Sequence, residues 1–342
     1  MTPVSPPPPP PAASPPPAPS RGGPAKPGKG ATSPAPAPVR TPPVTAASKD
    51  IEAGRALLAK GDAPGAQAAF NRALSTDPAN PEALDGRGYA LMLQNDDAGA
   101  QRDIIRALEL RNFAEARYHL GLLYKKNGVL SPALTQFENA ITLDSKLAKA
   151  YVAKGQTLEL MTRLTEAIPI YDAAVSLDPS NGQALEARGR AYFQTRQFQQ
   201  ARTDFQRAIQ IDPFSIDLLY ARGRTELALG QFDDAVATFE ELVLRRPDFA
   251  TQCSRGMAYL ERGDFIRDKK DKSDFRKAYD AFTAALVFKP DDTDTRNRAG
   301  YASTRVGTGI AGLVGTAGKL AYSSGGSKPS LATLDPNRAC GN

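Results

Sequence analysis

One spacing dominates this sequence: a glycine that returns every 33 or 34 residues. Gly54, Gly88, Gly121, Gly155, Gly189, Gly223, Gly256 and Gly300 mark successive copies, and only the last step is stretched, to 44 residues. Twelve residues after each of the first six glycines comes a small residue: Ala66, Ala100, Ala133, Ala167, Ala201 and Ala235. Four further on lies a large apolar one: Phe70, Ile104, Phe137, Tyr171, Phe205 and Phe239. Three beyond that stand Ala73, Ala107, Ala140, Ala174, Ala208 and, departing from the pattern, Leu242. Units one, four, five and six close with Pro78, Pro179, Pro213 and Pro247. A period of this length points to stacked helical repeats and constrains the fold more than any other feature.

The spacing has a physical reading. Positions three and four apart share one face of a helix. Glycine and alanine let two helices approach closely, and the large apolar residue fills the space beside them. Proline lacks an amide donor and stops the second helix. Helices of roughly 12–14 residues are marginal alone, so stacking on neighbours must bury their faces. Units two and three carry Asn112 and Ser145 where the proline stands elsewhere. Their second helices are expected to end less sharply.

The pattern resembles the tetratricopeptide repeat (TPR) family over seven consecutive units, at 47–80, 81–113, 114–147, 148–181, 182–215, 216–248 and 249–292. The seventh holds an insertion near 264–274, with two candidate starts for its second helix, Asp264-Phe265 and Asp274-Phe275. The inserted residues alternate in charge, which fits a longer turn or an extended solvated helix; a second contact surface is the other reading. Residues 293–306 read as a capping helix whose Arg296, Asn297, Arg298 and Thr304 give the polar outer face a terminal repeat needs. The resemblance implies an all-α chain: a right-handed α-solenoid of about seven helix–turn–helix repeats plus a C-terminal capping helix, with disordered tails.

Residues 1–46 are rich in proline, alanine and serine, with an unbroken run at Pro6–Pro11. Such a segment has no apolar face to bury and is expected to be disordered, locally polyproline II. It reads as a spacer, or as a ligand for an SH3-like or WW-like domain. Residues 307–342 read as a Gly-rich flexible tail. Gly307, Gly309 and Gly312 match the dinucleotide-binding glycine pattern, but no strand precedes them and no βαβ unit surrounds them.

The net charge of +6 suggests anionic partners until it is located. Residues 1–46 hold Arg21, Lys26, Lys29 and Arg40 and no acid, and the stretch from 306 on holds Lys319, Lys328 and Arg338 against Asp335 alone. The repeats themselves are therefore neutral, which argues against nucleic acid as the partner of the folded part. Basic tails holding an anionic partner remain a lesser alternative. One histidine, His119, excludes a His-rich metal site, and it reads as a packing or surface residue. Two cysteines, Cys253 and Cys340, are too few for a disulfide framework or a zinc cluster, and neither is expected. No apolar run is long enough for a membrane helix. No nucleophile elbow, P-loop or metal-ligand spacing is present, so neither an enzyme nor a cofactor is expected.

In the family, first helices line a concave groove, and the residues three before, one after and four after the glycine face it. The resemblance therefore implies a groove with Tyr89 in unit two, Tyr118 in unit three, Arg190 and Phe193 in unit five, Tyr220 and Arg224 in unit six, and Met257 in unit seven. Aromatic residues and arginine are favoured at binding hot spots. Some family members clamp a chaperone's terminal carboxylate with lysine and asparagine on adjacent first helices. Here the first two units offer Ile51/Arg55 and Asp85/Tyr89 instead, which argues against that clamp. The arginine just before the glycine recurs as Arg87, Arg188, Arg222 and Arg255. Arg87–Asp103 and Arg188–Asp204 are expected as ion pairs between the two helices of a unit.

The functional expectation is a non-catalytic scaffold or adaptor binding a peptide or protein in its groove. The alternatives are a lipoprotein-like assembly factor of a bacterial cell envelope and a non-catalytic subunit or adjunct of an enzyme. The sequence as it stands reads as cytoplasmic, or as periplasmic if a signal segment precedes Met1.

Overall fold

The computed structural model describes residues 46–266, 272–307 and 340. Among them the chain forms fifteen helices and no strand. Seven pairs follow one another. Helix α1 (Ala46–Ala59) pairs with α2 (Ala63–Thr76), α3 (Pro81–Leu93) with α4 (Asp97–Leu110), and α5 (Ala114–Lys126) with α6 (Leu130–Leu143). Next come α7 (Ala148–Leu160) with α8 (Leu164–Leu177), α9 (Gly182–Gln194) with α10 (Phe198–Ile211), and α11 (Ile216–Ala228) with α12 (Phe232–Arg245). Finally α13 (Phe249–Ile266) pairs with α14 (Ser273–Phe288), and α15 (Thr293–Val306) packs on α14. Each second helix also packs on the next first helix, which makes the array an α-solenoid. Of the Pro-rich segment expected over 1–46 only Ala46 is described, opening α1. Of the Gly-rich tail expected over 307–342 only Gly307 and Cys340 are.

The repeating glycine is explained by what faces it. A Cβ added at Gly189 would come within 2.8 Å of the Phe205 ring, one at Gly54 within 2.7 Å of Phe70, and one at Gly121 within 2.6 Å of Phe137. The missing side chain is the space the aromatic ring occupies. Phe70, Phe137, Tyr171, Phe205, Phe239 and Phe282 are all fully buried, as are the alanines around them.

The turn between the helices of a unit repeats too. Seven residues after the glycine, the backbone is left-handed at Gly61, Asn95, Gly128, Thr162, Arg196 and Gly230, with φ between 60° and 79°. Glycine takes this conformation freely, asparagine tolerates it, and Thr162 and Arg196 adopt it at a cost.

Unit seven departs from the others. Its equivalent residue, Gly263, stays helical, and α13 runs on to 18 residues where the earlier full-length first helices have 13. The second helix starts at the later of the two candidate sites: Phe275 is buried, whereas Phe265 is 69% exposed. The guanidinium of Arg262 fixes this choice by donating to both carboxylate oxygens of Asp274, at 2.9 and 2.7 Å. The charged residues 267–271 lie outside the described ones.

Two expectations need correction. Helices α4 and α6, which lack the closing proline, end in the same register as the others and have the same 14 residues. The amides of Arg111 and Asp144 close their last turns on Ala107 and Ala140 as Asp77 does on Ala73, so stacking against the next unit sets the end. The second correction concerns the cysteines: Cys253 and Cys340 form a disulfide across 87 residues of sequence. Counting could not find it, because the fold rather than sequence spacing brings the two together.

Candidate functional site

Four of the seven expected groove residues line one pocket. Arg190 and Phe193 of α9 and Tyr220 and Arg224 of α11 surround a cavity of ≈ 310 Å³, together with Gln194, Phe205, Asp217 and Ala221. Successive first helices place them there, because residues three before, one after and four after the glycine share one face of a helix: one and four after Gly189 on α9, three before and one after Gly223 on α11. Phe205 forms the inner wall and is also the ring that excludes a side chain at Gly189.

The two arginines are held differently. The Arg224 guanidinium lies 5.2 Å from the ring centre of Phe193 and 5.8 Å from that of Tyr220, bridging α9 and α11 as a cation over two aromatic faces. Arg190 is anchored to Glu186 one turn earlier, at 3.2 Å, and its side chain remains 53% exposed. Tyr220 sits edge-on to Phe239, and its hydroxyl accepts from Ser254 Oγ at 3.3 Å. The pocket thus offers two guanidinium groups beside apolar rings, with Asp217 as the acidic wall.

Tyr89 and Tyr118 stand elsewhere, in units two and three. They flank His119: Tyr89 stacks on the imidazole at 4.3 Å, and Tyr118 tilts against it at 5.5 Å. His119 Nδ1 lies 2.9 and 3.0 Å from the two carboxylate oxygens of Asp85. Burial pushes the phenols of Tyr89 and Tyr118 up, so both stay neutral donors. Lys125 Nζ donates to Gln156 Oε1 at 2.7 Å, and burial holds its ammonium below the usual lysine range.

Met257 is not at an open surface. It is buried in the core formed by α11 to α15, as are Cys253 and Leu260 of the same row. In unit seven the row that would face a groove is covered by α15 and Cys340. Sequence reasoning missed Gln194 and Asp217 in the pocket; Asp217 lies six residues before its glycine, outside the three positions used. It also missed the pairing of His119 with Asp85. Each lies two or three residues before its own unit's glycine, and that parallel was the available signal.

Tetratricopeptide repeat models match residues 51–109 and 146–216, 114–147, and 196–258. The chain belongs to the tetratricopeptide repeat family. It is 30% identical over 105 residues to human "Tetratricopeptide repeat protein 6", a match spanning 31% of this chain and 20% of that protein. Among solved structures it is similar to PilF of Pseudomonas aeruginosa, with a TM-score of 0.54 and 16% identity over 59% of this chain and 92% of that one. The C-terminal part of a TPR protein from Cytophaga hutchinsonii gives a TM-score of 0.55 at 16% identity, over 72% of this chain and 98% of that one. These structural likenesses show the fold. TPR domains generally bind proteins or peptides, and no catalytic family is indicated. Among the described residues, no helix is long and apolar enough to cross a membrane.

Proposed function

We propose that this TPR protein is a non-catalytic scaffold that binds a peptide segment of a partner protein along its first-helix face, centred on units five and six. The observation that carries this reading is the pocket between α9 and α11, where Arg190, Phe193, Tyr220 and Arg224 converge. Its volume suits one or two side chains rather than a whole cofactor. Guanidinium groups present a fixed fork of donors that matches a carboxylate. An acidic side chain or a terminal carboxylate set beside an apolar residue fits these walls.

The test is selection of peptides from a displayed random library, followed by affinity measurement. Peptides selected on the wild type should bind Arg190→Ala/Tyr220→Ala/Arg224→Ala at least about tenfold more weakly, since three hot-spot side chains are removed. Helicity should be unchanged, and the surface control Arg106→Ala should bind as the wild type does. Equal affinity for the triple variant would place the ligand elsewhere.

A further inference from the structure

The disulfide lies at the end of the solenoid and inside it. Cys253 is on α13, three residues before Gly256, in the row that faces the groove in earlier units. Here it has no exposed surface, and Cys340 beside it is 4% exposed. Both belong to the core cluster that also holds Met257, Leu260, Ala299 and Ala302. The Cα atoms are 5.5 Å apart, within the ordinary range for a bridged pair. They are the chain's only cysteines, and the fold seats one against the other from 87 residues away.

A third group makes the arrangement specific. Arg298 of α15 is 8% exposed, and its Nη1 lies 3.7 Å from Cys340 Sγ and 4.0 Å from Cys253 Sγ. Burial weakens its hold on its proton, the direction expected of a guanidinium taken out of water. A cation against two sulfurs stabilises a thiolate, the form that attacks a disulfide. The same site therefore raises the thiolate fraction and speeds the exchange by which the bond is made.

We propose that Cys253 and Cys340 are a redox-written lock: the bond is formed in an oxidising compartment and holds Cys340 against the groove-facing row of unit seven, beside α15. The partner reaction is thiol–disulfide exchange with a disulfide-bearing oxidant, a protein oxidoreductase or oxidised glutathione. The Cys340 thiolate attacks one sulfur of the oxidant, breaking its S–S bond and forming a mixed disulfide. The Cys253 thiolate then attacks Cys340 Sγ and expels the oxidant's second thiolate. The two cysteines lose two electrons and two protons, and the oxidant leaves as a dithiol or as two thiols. Stable disulfides belong to secreted and periplasmic proteins rather than to reducing cytosol. The bond thus favours the envelope side of the two localisations that the sequence leaves open. It does not depend on the peptide-binding reading, because unit seven contributes nothing to the pocket of units five and six.

The experiment uses the full chain equilibrated in glutathione buffers of graded poise, quenched with an alkylating reagent under denaturing conditions and weighed intact. The expected result is a species about 2 Da lighter than the dithiol and carrying no label, persisting at a poise of about −200 mV, typical of an oxidising compartment. Thermal melts then compare oxidised wild type, reduced wild type and Cys340→Ser. The oxidised form should melt at least about 5 °C above the other two, which should agree with each other. Cys340→Ser is used because it lies outside the helices and leaves Cys253 in place. Two labelled cysteines at −200 mV would overturn the proposal, and so would equal melting of oxidised wild type and Cys340→Ser.

Discussion

Arg188 and Asp204 join the two helices of unit five through a two-pronged ion pair, with Arg188 Nε and Nη2 at 2.7 and 2.6 Å from the two carboxylate oxygens. The remaining nitrogen, Nη1, reaches Asp172 of the previous unit at 2.9 Å. Arg87 does the same in unit two, holding Asp103 at 2.5 and 2.9 Å and Asn71 at 3.1 Å. One side chain thus ties three successive helices. In unit six, where Thr238 replaces the aspartate, Arg222 donates to the threonine hydroxyl and Glu226 supplies the carboxylate one turn along.

Removing Arg188 should be costly because Asp204 is only 2% exposed. Arg188→Leu leaves a buried carboxylate without its cation, and losses of about 3 kcal/mol are typical for such a change. Urea unfolding followed by circular dichroism measures it. A loss under about 1 kcal/mol would mean that water replaces the guanidinium.

Arg255 occupies the same place in unit seven with the opposite outcome. Ala281 stands before the buried Phe282 where Asp204 stands before Phe205, and among the described residues Arg255 Nε is buried without a hydrogen-bond partner. Unit three shows what the site prefers, with Leu120 buried there. Arg255→Leu should therefore leave stability unchanged or raise it, by up to about 1 kcal/mol. A clear loss in the same urea assay would show that the guanidinium is held by contacts other than hydrogen bonds.

Most of the fold was legible because its information is periodic. Glycine, alanine and a large apolar residue recur at one spacing, and the structure shows the glycine of each unit making room for that residue, a ring in every unit but the second, where it is Ile104. The Arg–Asp struts were legible for the same reason, since both partners keep a fixed offset of 16 residues. What stayed hidden was non-periodic. The disulfide depends on Cys340 lying beside Cys253 in the fold, the burial of Met257 comes with the core that α15 and Cys340 share with unit seven, and the pairing of His119 with Asp85 crosses two units. At the pocket the family positions placed four side chains together. The acidic wall at Asp217 comes from the first turn of α11, which those positions do not sample.

The left-handed turn residues give a test with the opposite sign. Thr162 and Arg196 hold φ of 60° and 61° where three other units have glycine. Thr162→Gly and Arg196→Gly relieve about 1–2 kcal/mol of backbone strain and lose roughly 0.5–1 kcal/mol to unfolded-chain entropy. A net gain of about 0.5 kcal/mol is expected for each, larger at β-branched Thr162. Melting temperatures that fall in both variants would contradict this.

Gly189 tests the packing rule. Gly189→Ala drives a methyl to within 2.8 Å of the Phe205 ring, and both sit in a close-packed contact. The expected cost is about 1–3 kcal/mol. Phe205→Leu should be destabilising alone, yet the double variant should lose less than the sum, because the smaller side chain accepts the methyl. Strict additivity would mean that the two residues do not share the space.

Glu226 predicts a pH effect whose sign can be worked out. Burial pushes its carboxyl up, outweighing the hydrogen bond from Thr238 and the charge of Arg222, which pull it down. The folded state therefore holds this proton more tightly than the unfolded chain does. Stability from that proton is present at low pH and is lost as pH rises through the folded pKa. Glu226→Gln cannot lose it. The melting temperature of Glu226→Gln relative to wild type should accordingly be higher at pH 7 than at pH 4. An equal offset at the two pH values would show that Arg222 and Thr238 fully compensate the burial, and a larger offset at pH 4 would reverse the assigned sign.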